Sequence, residues 1–167
     1  AAGEFDTRLS SVVDWEYYLR LAAHYRFALV KKHQVFYRKS STSISGNLPQ
    51  VEANSVEVIN RAFQQAPQHL QSLKRQSLSE LYFYLARQYV RDDHGRENVV
   101  TALQKMRQAV RENPQLLLQR QVQKLFAKLL ILRVIPQSKT DFLLNAEQHQ
   151  PTAATPQEPA SPSTKAI

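Results

Sequence analysis

Asp14-Trp15-Glu16-Tyr17-Tyr18-Leu19-Arg20-Leu21-Ala22 opens on an acid and continues as an amphipathic helix. Trp15, Tyr18, Leu19 and Ala22 recur at i, i+3, i+4 and i+7, a spacing that puts them on one inner face. Asp14 stands at the head of that helix, after Ser10-Ser11-Val12-Val13. A carboxylate there accepts first-turn backbone N–H groups and meets the positive end of the helix dipole. From spacing alone Asp14 is an N-cap.

Moving outward, Gly3-Glu4-Phe5-Asp6 lies upstream of the helix. Downstream, His24-Tyr25-Arg26-Phe27-Ala28-Leu29-Val30 alternates and then runs apolar, which predicts a short strand. Gln34-Val35-Phe36-Tyr37-Arg38 predicts a second. Lys31, Lys32, Arg38 and Lys39 place cations around this pair. Arg binds phosphate oxygens in a bidentate fork; for Lys31 and Lys32 a solvated basic loop is the simpler reading, and for Arg38 both readings stand.

Taken in order, Gly3-Glu4-Phe5-Asp6, Asp14-Trp15, Leu19-Arg20-Leu21-Ala22, Tyr37-Arg38 and Ser43-Ile44-Ser45 resemble the last part of the catalytic domain of family 2 glycosyltransferases. Those are inverting, nucleotide-sugar-dependent enzymes of the GT-A fold. The resemblance covers residues 1–47 and implies an α/β part-domain. It makes Asp14 the catalytic base, taking the proton from an acceptor hydroxyl as that oxygen attacks the anomeric carbon. Trp15, Arg20, Tyr37 and Arg38 would shape the acceptor and diphosphate side. The donor would be a nucleotide sugar, and the whole enzyme would use a divalent cation, Mg or Mn.

Two positions depart from the family pattern. Val13 precedes Asp14 where many relatives carry Glu or Gln, and Ser40 stands where relatives have a His that helps hold the metal or the diphosphate. The D-x-D motif that holds the metal is also missing from the chain. The expectation is therefore no assigned metal ligand in this chain, with the ligands mostly, and the nucleotide-binding strands, upstream. The start at Ala1-Ala2-Gly3, inside what resembles an acceptor-site loop, reads as a fragment, inactive by itself.

Composition sets the remaining bounds. The chain has 167 residues, 43% apolar and 22% charged, the balance of an ordinary globular protein. Only three glycines occur, so helix should dominate, and the absence of cysteine excludes a disulfide framework or a thiolate metal site. No signal peptide and no membrane-spanning apolar run is visible. The expected location is cytoplasmic, with the inner face of the membrane as an option.

Gly46-Asn47, with Pro49 next, marks a boundary. Beyond it, residues 48–138 read as all-helical, which makes the chain mostly α overall. Helices are expected over residues 51–66, 69–93, 97–112 and 116–135, ended by prolines or by the turn Asp92-Asp93-His94-Gly95. The second should bury Leu70, Leu73, Leu78, Leu81, Leu85 and Tyr89. Tyr82, Leu85, Ala86 and Tyr89, with Ala102, Met106, Ala109 and Pro114, resemble a single tetratricopeptide-type hairpin with a longer turn. Helical packing explains those residues more simply than peptide recognition. Residues 139–167, rich in Gln, Pro, Thr, Ala and Ser, read as a disordered tail.

No acid occurs between Glu112 and Asp141, while Arg120, Lys124, Lys128, Arg133 and Lys139 supply cations. The apolar side of the same helix holds Leu117, Leu118, Val122, Leu125, Phe126, Leu129, Leu130 and Leu132. Such a helix can lie on an anionic membrane or close the preceding hairpin, and burial is the favoured reading. No phosphate-binding glycine loop, zinc-protease or serine-hydrolase motif is present. The histidines are scattered and no nucleic-acid motif accompanies the charge of +8. Two functions remain: the acceptor-side part of an inverting glycosyltransferase, or a non-catalytic basic helical binding module.

Overall fold

The computed structural model describes residues 3–32, 34–36, 46–91 and 95–134. Its helices are α1 (Val13–Ala22), α2 (Leu48–Gln65), α3 (Leu73–Tyr89), α4 (Arg96–Glu112) and α5 (Arg120–Val134). Short 3-10 turns at Gln68–Leu70 and Pro114–Leu118 join α2 to α3 and α4 to α5. The protein is mostly helical, and no strand occurs among the described residues.

Local chemistry fixes the ends of these helices. The Asn47 side chain accepts from the Gln50 N–H at 3.3 Å and Pro49 sits in the first turn, so α2 begins before the expected residue 51. It stops because Ala66, preceding Pro67, takes an extended ψ of 143°. Asn113 caps the turn after α4 by accepting from the Gln115 N–H at 3.1 Å, and Pro114 follows. The expected start of the last helix at residue 116 falls inside this turn, where Leu116 is buried.

The core is built on both sides of α3. On one side Leu81 and Leu85 meet Val51 and Ile59 of α2, with Val12 and Trp15 packed at the edge. On the other, Phe83 and Ala86 join Val99, Ala102, Met106 and Ala109 of α4 and Val122, Leu129 and Leu132 of α5. Tyr82 touches both groups. Burial, with the Glu52 carboxylate nearby, pushes the Tyr82 and Tyr89 phenols above their ordinary pKa, so both stay protonated. A buried hydrogen bond from Ser79 Oγ to the Ala109 carbonyl, 2.8 Å, ties α3 to α4. Lys105 Nζ reaches Glu52 Oε1 at 2.6 Å and links α4 to α2.

Several expectations are corrected. Residues 24–30 and 34–36 alternate as strands do, yet form none among the described residues. Alternation gives a strand only when a neighbour takes up its N–H and C=O groups. The expected inner face of α1 is mostly uncovered: Trp15 and Leu19 are half-buried while Tyr18 and Ala22 are exposed. The expected helix over residues 69–93 is broken before Leu73, and Leu70 and Leu73 are exposed rather than buried. Phe83, on the opposite side, is buried instead. The Asp92-Asp93-His94 turn and the tail from residue 139 lie outside the described residues.

The last helix is divided. Val122, Leu129 and Leu132 are buried and Leu125 is half-buried, as the closing role requires. Leu117, Leu118, Phe126 and Leu130 of the same expected apolar side face outward. Phe126 and Leu130 fall beyond the arc of α5 that α4 can cover, and Leu117 and Leu118 lie in the 3-10 turn before the helix.

Candidate active-site loop

Residues 3–12 form an irregular loop that ends at the head of α1 and is held mainly by α2. Asp6 accepts from Arg8 three times: the backbone N–H at 3.0 Å, Nε at 2.9 Å and Nη2 at 2.8 Å. Arg61 of α2 donates to its second oxygen at 2.7 Å, and Arg61 also pairs with Glu57 one turn back. These donors stabilise the ionised form, so the Arg8 and Arg61 guanidiniums hold the Asp6 carboxyl far below the usual carboxylate range. Leu9 closes the turn, its N–H donating to the Asp6 carbonyl at 3.2 Å, with its side chain buried.

Asn54 of α2 holds the next two residues. With its amide oriented as its partners demand, the carbonyl accepts from the Ser10 N–H at 3.2 Å and the Ser11 N–H at 3.0 Å. Asn54 and Ser11 are both buried, so these bonds replace water the loop cannot reach. Val12 then adopts φ 54° and ψ 26°, in the left-handed region. A β-branched residue is rare there, and such a backbone persists only where its surroundings over-determine it. Asn54 and the packing of Val12 against the α2–α3 core supply that constraint.

This turn delivers Asp14 to the first turn of α1. Val12 occupies the N-cap position, without a side-chain cap, and its carbonyl accepts from the Glu16 N–H at 3.1 Å. Asp14 is therefore two positions into the helix rather than at the cap. Its Oδ1 accepts from the Trp15 N–H at 2.8 Å. The carboxylate is exposed, and no other described group donates to it.

Trp15 and Arg20 leave α1 in different directions. Trp15 packs toward α2 and α3 and lines an open groove of about 450 Å³ with Leu73, Gln76, Ser77, Glu80 and Leu81. Arg20 turns to the other side. Its Nε and Nη2 reach the two oxygens of Glu16 at 2.7 and 2.9 Å, and Nη2 also donates to the Glu4 carbonyl at 2.7 Å. It stands over the Tyr17 ring, 5.1 Å from its centroid, while Phe5 lies against Tyr17 at 4.8 Å. Gly3, at φ 70°, gives the turn that brings Glu4 to Arg20. Tyr37 and Arg38 lie outside the described residues, as do Lys39 and Ser40.

The structure thus joins Phe5, Asp6, Asp14, Trp15 and Arg20 in one local unit, braced by two residues that the sequence reading did not single out, Asn54 and Arg61. Their partners lie 43 and 55 residues away, a distance that no local pattern reports. Among the described residues no group of three His, Asp or Glu side chains could hold a metal ion.

Comparison of the chain with protein-family models, with curated proteins and with solved structures gives no match.

Proposed function

We propose that residues 3–36 belong to the acceptor side of an inverting, nucleotide-sugar-dependent glycosyltransferase of the GT-A type, with Asp14 as general base. The observation that carries this reading is the state of Asp14. Its loop is pinned by Asp6, Arg61 and Asn54 through a left-handed valine, yet its carboxylate faces solvent with a single backbone partner. A merely structural acid would not need a strained backbone to present it outward. A base that must meet an incoming hydroxyl does, because its geometry has to be fixed before the acceptor arrives.

The neighbouring groove suits a sugar acceptor. It offers an indole and two leucines as apolar walls, with Gln76, Ser77 and Glu80 supplying polar edges. Mixed lining of that kind orients a polyhydroxyl ring, whose faces are apolar and whose rim donates and accepts. Arg20 acts in this reading as a positioning residue, bracing Glu4 and Glu16 beneath the loop. The uncovered strand-like segment supports the same view: Phe27, Leu29, Val30, Val35 and Phe36 are all exposed, as expected of a β element whose partners are supplied by other residues of an α/β domain. The donor would be held by those other residues, and a divalent cation with it.

In the longest natural form of the polypeptide, Asp14→Asn should lower nucleotide release and sugar transfer by about 10²–10⁴, the usual worth of a general base. The amide keeps an oxygen for the Trp15 N–H, so the melting temperature should not move. A loss of stability with unchanged turnover would return Asp14 to a structural role. Transfer by residues 1–167 alone would show that the donor site does not lie elsewhere.

A further inference from the structure

The exposed side of α5 carries two parallel rows. Phe126, Leu130 and Val134 follow at intervals of four residues and are exposed, Val134 to 79%. Arg120, Lys124 and Lys128 follow at the same interval and are also exposed. At 100° per residue the rows form the two flanks of the exposed arc, about 120° apart on average, with Ala127 and Ile131 between them. Leu118, 80% exposed in the preceding turn, extends the apolar surface. None of these cations has an ion-pair partner among the described residues, and residues 113–140 contain no acid.

We infer that this face of α5 docks on an anionic lipid surface. The helix is about 22 Å long, and no helix among the described residues is long and apolar enough to cross a membrane. It is already seated on α4 through Val122, Leu129 and Leu132, so it can lie only in the plane of an interface. There Phe126, Leu130, Ile131 and Val134 enter the boundary between headgroups and chains, while the lysines and arginines meet phosphates. A nucleic acid would match the cations but leave the aliphatic row without a partner. A second copy of α5 would match the apolar row but bring cation against cation. An anionic bilayer satisfies both rows.

The test uses the intact 167-residue chain and sedimentation with vesicles of phosphatidylcholine alone or mixed equally with phosphatidylglycerol. The chain should sediment with the anionic vesicles, little with the neutral ones, and progressively less as salt rises. Lys124→Gln with Lys128→Gln should weaken binding about 25-fold, near fivefold for each cation at the surface. Phe126→Ser with Leu130→Ser should weaken it about tenfold or more. Both pairs are exposed, and unchanged helicity and melting temperature would show that the fold is intact. If the serine pair fails to fold, the glutamine pair carries the test. No sedimentation with anionic vesicles at low salt would overturn the inference. So would binding that ignores the lysine substitutions, or a concentration-dependent dimer that the serine pair abolishes.

Discussion

Asp6 shows how much a single carboxylate does here. It collects donors from Arg8 within the loop and from Arg61 on α2, and so fixes both the shape of the loop and its attachment. Those bonds need the ionised form. Because the folded protein lowers its pKa below the ordinary 3.8, its contribution is complete above that value. As pH falls further, the unfolded chain takes up the proton first, and the contribution shrinks until the folded carboxyl is protonated too. Melting temperature measured against pH should therefore hold steady on this account down to about 4 and fall below it. Asp6→Asn should flatten that acid slope and lower the melting temperature at neutral pH, the two curves converging in strong acid. At the same scale the helix that begins near Asp14 was legible, since an acid before an apolar helical stripe is a local pattern, although Asp14 stands two positions inside it rather than at the cap. Asn54 and Arg61 were not. A polar residue on α2 shows in sequence that it can make hydrogen bonds, but not that Ser10, Ser11 or Asp6 will come to it.

At the scale of elements, what the sequence revealed depended on how many sides each helix buries. α4 covers one side, and its residues Ala102, Met106 and Ala109 recur at helical spacing as expected, with Val99 buried in line with them. α3 is buried from two sides. A single-stripe reading therefore passed over Phe83, while Leu70 and Leu73, read on the same stripe, fall in the turn before α3 and at its first residue and are exposed. The hairpin of α3 and α4 was legible because Ala86, Ala102 and Ala109 permit close approach, and the Ser79 bond to Ala109 then locks it. Leu85 lies at the centre of the α2 side and is fully buried. Leu85→Ala should cost about 2–5 kcal/mol, the range for a leucine cavity that neighbours refill only in part. Urea unfolding would measure it as a lower midpoint with an unchanged slope. The strands predicted over residues 24–30 and 34–38 mark the opposite limit. Their alternation was real, but pairing is a property of two segments and cannot be read from one.

For the whole molecule, the described residues divide into a tightly packed three-helix body of α2, α3 and α4, closed by α5, and a thinly covered N-terminal side. Amide hydrogen exchange should reproduce this division. Amides in the middle of α3 and α4 should exchange only through global opening, and those of residues 26–32 should exchange nearly as fast as free peptide. Slow exchange over residues 26–32 in the 167-residue chain would mean that this segment has found a partner within it. The left-handed backbone at Val12 also reaches beyond this chain's own stability. A valine in that conformation costs about 1–3 kcal/mol, so the loop keeps its shape only while α2 supplies what offsets the cost. Positions 12 and 54 are therefore coupled energetically. A substitution at Asn54 would be tolerated where residue 12 has become glycine or asparagine, and purged where valine remains. The conformation of this loop is thus governed by a helix more than forty residues further along the chain.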